Sequence, residues 1–145
     1  MLLKQKIHFF FEDTKFDLRN RAILKKSIEH IFKKEGRPLS FINYVFCTDK
    51  KILEINRQFL KHNFYTDIIT FDLSDGEDIQ AEIYISIDRI KENAKAFKCP
   101  FKKELVRVLI HGALHLCGYD DKHKKEKSII RKKEDYYLIK YFYFT

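Results

Sequence analysis

A chain of 145 residues, 45% hydrophobic and 34% charged, is long enough to bury about 70% of its unfolded surface in one core without disulfide staples. It holds no apolar run long enough to cross a bilayer, and its start, Met-Leu-Leu-Lys-Gln-Lys, lacks the apolar segment of a secretory signal. The formal net charge of +8 points either to a polyanionic partner, most commonly nucleic acid, or to a lysine-rich solvated surface.

No repeat, low-complexity tract or Pro/Gly-rich linker divides the sequence, so residues 1–145 are expected to form one domain. Lys6–Glu12 is apolar and aromatic and predicts a strand. Leu18–Glu35 predicts a helix, with Asp17 as cap and Leu24, Ile28, Ile31 and Phe32 as its apolar stripe. Gly36 ends it before Pro38. Leu39–Cys47 predicts a second strand. Thr48 caps a helix through Leu60, with Ile52, Ile55 and Phe59 on one face. Asp67–Leu73 and Ile79–Ser86 predict paired strands around the turn-rich Ser74-Asp75-Gly76. Ser86 or Asp88 starts a helix to Phe97. Pro100 suits the first turn of the next helix, which runs to Cys117. A last helix covers about Lys124–Tyr141. This order predicts an α+β fold, a mixed sheet of about four strands packed with helices. Cys47, Cys99 and Cys117 are scattered and form no C-x-x-C pair, as expected of reduced thiols in a cytoplasmic protein. Cys117 reads as a small buried hydrophobe rather than a ligand.

The chemistry concentrates in His111-Gly-Ala-Leu-His115-Leu-Cys-Gly118-Tyr-Asp-Asp121-Lys-His123. Histidines four apart on a helix lie on one face, one turn apart, where both rings can reach one ion. Gly118 can end that helix in a left-handed turn, and the turn then delivers a third ligand from Asp121 or His123. Three protein ligands leave one zinc position open, the mark of a catalytic rather than a structural site. The spacing follows a zincin-like metal helix, H-x-x-x-H-x-x-G-x-x-ligand, with one Zn2+ expected per chain. A metallopeptidase would carry a glutamate general base after the first histidine; Gly112 stands there.

His-Gly-Ala-Leu-His-Leu-Cys-Gly-Tyr-Asp resembles the signature of the YbeY family of zinc-dependent endoribonucleases. The likeness extends to Ile55-Asn56-Arg57-Gln58-Phe59-Leu60, to Tyr65-Thr66-Asp67-Ile68-Ile69-Thr70-Phe71 and to Ala81-Glu82-Ile83-Tyr84-Ile85-Ser86. It implies an α+β fold and a single-strand-specific endoribonuclease acting in ribosomal RNA maturation at the 3′ end of small-subunit rRNA. It also implies RNA or ribosomal subunits as partners. Two positions depart from the family. Asp121 stands where a third histidine is usual, and Leu60 aligns with a usual arginine. Asp is itself a zinc ligand, and Arg57 or Lys61 could supply the charge that Leu60 lacks.

Zinc beside an RNA phosphate supplies Lewis-acid chemistry, and the remaining need is a base. Asp120 and Glu82 are the candidate carboxylates, with a turn hydrogen bond for Asp120 and a solvated strand position for Glu82 as the alternatives. The run Lys122, Lys124, Lys125, Lys127, Arg131, Lys132 and Lys133 follows directly on the metal motif. Lys124, Lys125 and Lys127 are candidate phosphate contacts, or the polar face of a helix. Tyr136, Tyr137, Tyr141, Phe142, Tyr143 and Phe144 either stack on bases or dock the last helix, docking being the commoner use. Two other functions fit parts of this pattern: a metallopeptidase, supported by the ligand spacing, and a non-catalytic ribosome-associated RNA-binding factor, supported by the two departures.

Overall fold

The computed structural model describes residues 5–61 and 66–141. Four strands form one mixed sheet in the order β1-β2-β4-β3: β1 (Ile7–Phe11), β2 (Leu39–Cys47), β3 (Ile68–Asp72) and β4 (Ile79–Ser86). β1, β2 and β4 run parallel, and β3 pairs antiparallel with β4 as an edge strand. The helices are α1 (Arg21–Lys34), α2 (Asp49–Ile55), α3 (Ile87–Ala96), α4 (Phe101–Leu116) and α5 (Lys124–Tyr141). This is the α+β architecture expected from the sequence. Among the described residues no helix is long and apolar enough to cross a membrane. Phe142, Tyr143 and Phe144 lie outside the described residues.

The period of two in the strands decides which helix packs where. Ile42, Tyr44 and Phe46 of β2 and Ala81, Ile83 and Ile85 of β4 share the main core with α1 and α4, and they are buried. Tyr44 anchors α4 by donating its hydroxyl to the Leu109 carbonyl, 3.0 Å away. The opposite face carries a smaller cluster, in which Cys47, Ile52 and Ile55 meet Ile69, Phe71 and Tyr84. Tyr137 and Leu138 of α5 are buried in the main core and Tyr141 packs against it. Those rings dock the helix, the commoner of the two uses.

Three local expectations shift, and one open alternative is settled. α1 starts at Arg21, after Asn20 in a left-handed conformation (φ 61°), and Asp17 instead pairs with Arg19 at 2.8 Å. Thr48 caps α2 as expected, accepting from the Lys51 amide. The helix then widens into a π-turn at Asn56–Leu60. Phe59 in that turn is 61% exposed, but its ring meets Phe71 edge-on at 6.0 Å, beside the cluster that Ile52 and Ile55 form. Ser86, not Asp88, caps α3. Pro100 sits one residue before α4 rather than inside its first turn.

Glu35, just past α1, ties three elements together. It accepts from the Tyr119 hydroxyl at 2.7 Å and from the Tyr137 hydroxyl, and pairs with Lys133 at 3.4 Å. Burial alone would raise its carboxyl, but the Tyr137 and Tyr119 hydroxyls and the Lys133 charge hold it below the ordinary glutamate value. The stability it adds is therefore complete above that ordinary value and lost as pH falls through the lower folded one. Glu35→Gln should cost about 1–2 kcal/mol at neutral pH, or roughly 3–7 °C in Tm for a chain this size. The gap between wild type and variant should close in acid. A gap that stays constant as pH falls would contradict this role.

Candidate metal centre

α4 carries both histidines because its inner face is nearly continuous core, Leu105, Val108, Leu109 and Ala113 among it. Gly112 is part of that fit. A Cβ there would stand 3.0 Å from Ile68 Cδ1 and 3.1 Å from Ile83 Cδ1, so the absent side chain lets the helix lie close on β3 and β4. A glutamate at this position would drive a carboxylate into the sheet. Packing thus accounts for the missing peptidase base.

α4 stops as the sequence predicts. Gly118 has φ 104°, its amide donates to the His115 carbonyl at 3.0 Å, and the Tyr119 amide donates to the Leu114 carbonyl at 3.1 Å. These two bonds form a Schellman cap, which reverses the chain and returns Asp121 to the histidines. Tyr119, held by Glu35, pins the turn. Cys117 faces away from the cluster. Burial, then the Glu35 charge, pushes its thiol up to about 12, and its side chain packs on the core.

His111, His115 and Asp121 come together; His123 is exposed and outside the group. The two Nε2 atoms are 2.9 Å apart, and Asp121 Oδ2 lies 3.3 Å from the first and 3.5 Å from the second. In a tetrahedral zinc site with bonds of about 2.0–2.1 Å, ligand atoms are separated by roughly 3.3 Å. The three atoms already stand near that spacing, so two imidazoles and a carboxylate could hold one metal ion.

Behind His111 lies a contact the sequence reading missed. Nδ1 of His111 and Oε2 of Glu134 are 2.6 Å apart, and Glu134 is only 3% exposed. With Nδ1–H donated to this carboxylate, the Nε2 lone pair faces the cluster. Arg107, one turn before His111 on α4, bonds Glu134 Oε1 at 3.1 Å and Asp135 at 2.7 Å, so the buried carboxylate is paired. Burial lowers the His111 pKa, but the Glu134 bond and charge, with Asp121 and Asp67 adding to them, hold it above the ordinary value. The missed signal was on the page: Glu134 occupies the apolar stripe of α5, four residues after Ile130 and four before Leu138.

The cluster sits where two clefts meet. One, about 470 Å3, lies between α4 and edge strand β3, and Thr66, Thr70 and Asp72 line it opposite His115. The other, about 260 Å3, lies between α4, α5 and the end of α3. His111 and Asp121 border both.

The remaining candidates scatter. Asp120 is exposed and accepts from the Asp121 amide at 2.7 Å, the turn bond anticipated for it. Glu82 lies on a strand that packs against the metal helix, but its own side chain does not face it. It alternates with Ile83, which packs under Gly112, and therefore points to the opposite face, where it accepts from the Tyr84 hydroxyl. Arg57 and Lys61 are exposed at the π-turn and just past it, with Lys61 at φ 55°. Lys124, Lys125 and Lys127 are exposed on the first turns of α5, and Lys127 reaches the smaller cleft.

The sequence profile of the family described as Endoribonuclease YbeY matches residues 7–141. The Endoribonuclease YbeY of Cytophaga hutchinsonii is 50% identical over 91% of this chain and 93% of its own length. That of Flavobacterium psychrophilum is 44% identical over 87% of this chain and 90% of its own. A Thermotoga maritima protein solved in solution superposes with a TM-score of 0.63 at 32% identity, over 91% of this chain and 86% of that one.

Proposed function

Because the chain belongs to the YbeY endoribonuclease family, we propose that it is a zinc-dependent, single-strand-specific endoribonuclease. Its role is ribosomal RNA maturation, at the 3′ end of small-subunit rRNA, in the cytoplasm. Residues 1–145 act as one hydrolase domain, and the family match over 7–141 supports that extent. The single observation that carries the reading is the convergence of His111, His115 and Asp121 at near-tetrahedral spacing between two open clefts. His111, His115 and Asp121 are the ligands, with one zinc ion per chain.

A bound zinc ion supplies Lewis-acid charge to a phosphoryl oxygen and activates water near neutral pH. The protein residues do the rest. Glu134 fixes the His111 tautomer and ring plane. The Schellman cap and the Glu35–Tyr119 bond hold Asp121 in register with the helix. Lys127, and the half-exposed Arg131 beside its 3.8 Å pairing with Glu134, offer cationic charge where a phosphate approaching the cluster from α5 would pass, while Arg107 is committed to Glu134 and Asp135. Asp120 is the carboxyl nearest the ligand turn in sequence and remains the candidate proton acceptor. Glu82 is on the wrong face for that task. The peptidase reading gains no observation, since Gly112 carries no side chain to act as base and a Cβ there would crowd Ile68 and Ile83.

RNA binding is expected to be largely electrostatic. If Lys124, Lys125 and Lys127 neutralise single-strand phosphates, log affinity falls linearly with log salt, with a slope of about −0.7 per phosphate. Changing the three to glutamate should weaken binding and flatten that slope by roughly two units, with zinc content unchanged. Filter binding across a salt series measures this. An unchanged slope in the triple variant would remove these lysines from the RNA interface.

A further inference from the structure

The smaller cleft has a composition that the metal chemistry does not use. Its floor is apolar, Val108 from α4 and Ile130 from α5, both buried. At its rim stands Phe97, which ends α3 and is 59% exposed. Its polar lining includes Asp67, Asn93 and Glu104; Asn93 Nδ2 donates to Asp67 Oδ2 at 3.3 Å, and Asp67 also borders the larger cleft. Its outer side carries Lys127 and Arg131, and its inner end is His111 and Asp121.

Each feature narrows the ligand. A floor of aliphatic side chains with a projecting aromatic ring suits the flat face of a base. The two carboxyls and the amide of this group repel a phosphate, but their oxygens accept N–H donors from a base edge. The cationic side chains lie instead on α5, where the backbone of the same nucleotide would run. The volume, about 260 Å3, is just below the roughly 300 Å3 at which small-molecule pockets begin and is enough for one base. The cluster at the inner end places that base beside the reacting phosphate.

We propose that this cleft is a subsite for one unpaired base flanking the scissile phosphate, stacked on Phe97 and read at its edge by Asp67, Asn93 and Glu104. The inference rests on the RNA-hydrolase reading of the His111–His115–Asp121 cluster. A base can enter only when it is out of its stack and pair, so the cleft gives a physical cause for single-strand specificity. Carboxyl acceptors favour bases with an exocyclic amino group over uracil.

The test uses zinc-loaded full-length protein and short single-stranded RNAs that differ only in the two nucleotides flanking the cleavage position. Each flanking nucleotide is either intact or abasic. Removing the base on one side is expected to lower kcat/KM by about 5- to 150-fold, the range that base–aromatic stacking supplies. Phe97→Ala should lower kcat/KM on intact RNA by a similar factor, lose nothing further on the abasic RNA, and keep its zinc. Phe97→Tyr should restore the intact-RNA rate. At the sensitive position uracil should be the poorest base. If Phe97→Ala is silent on intact RNA, or is equally harmful to intact and abasic RNA, the subsite is wrong while the hydrolase reading stands. If wild-type protein holding stoichiometric zinc cleaves none of the RNAs, the hydrolase reading fails, and the subsite with it.

Discussion

Protein carrying His115→Ala is expected to purify without stoichiometric zinc and to lose RNA cleavage by roughly a thousandfold or more, since a metal ion contributes several kcal/mol of transition-state stabilisation. Asp121→Ala should behave in the same way, because Asp121 Oδ2 stands 3.3 and 3.5 Å from the two Nε2 atoms. His123→Ala should keep both metal and activity, since that ring is exposed and outside the cluster. Elemental analysis of the three variants beside wild type decides the ligand set. Full zinc in Asp121→Ala together with zinc loss in His123→Ala would transfer the third ligand to His123.

The second large effect lies behind the ligands. Glu134→Ala should destabilise the fold by about 3 kcal/mol, the low end for breaking a buried ion pair, because Arg107 keeps Asp135 as a partner. It should also lower zinc affinity by 10- to 100-fold, the usual cost of losing the acceptor behind a ligating histidine. Glu134→Gln retains an oxygen for His111 Nδ1–H but removes the charge, and should fall between wild type and alanine in both measures. Competition with a chromophoric chelator reads the affinity independently of activity. Unchanged affinity in a folded Glu134→Ala protein would make the 2.6 Å contact structural only.

Elements whose causes are local were legible in the sequence. Four-residue spacing places His111 and His115 on one face whatever surrounds them, and Gly118 is the residue a left-handed cap demands. The alternating apolar residues of β2 and β4 carried the sheet. What escaped depended on distance or on register. Glu134 reaches His111 across 23 residues and only through the docking of α5. Its neighbours Lys132, Lys133 and Asp135 disguise it as part of a solvated face, although its spacing from Ile130 and Leu138 marks it as buried. The widened turn at Asn56–Leu60 escaped because a pattern of fixed period cannot register it, although Phe59 still meets Phe71 beside Ile52 and Ile55. Glu82 was a candidate base although strand alternation with Ile83 and Ile85 settles its face. The start of α1 was set by the left-handed backbone at Asn20 rather than by the more usual cap at Asp17.

The central claim is that the His111–His115–Asp121 cluster makes this chain a zinc-dependent nuclease for single-stranded RNA. Its most direct test is cleavage of a single-stranded fragment spanning the 3′ end of small-subunit rRNA, followed by one preparation through three states: as purified, stripped of metal as verified by elemental analysis, and reloaded with one equivalent of zinc. The expected result is cleavage, then none with much of the RNA binding retained, then recovery, and no cleavage of the same sequence annealed to its complement. Cleavage that persists at full rate in the stripped protein would contradict it.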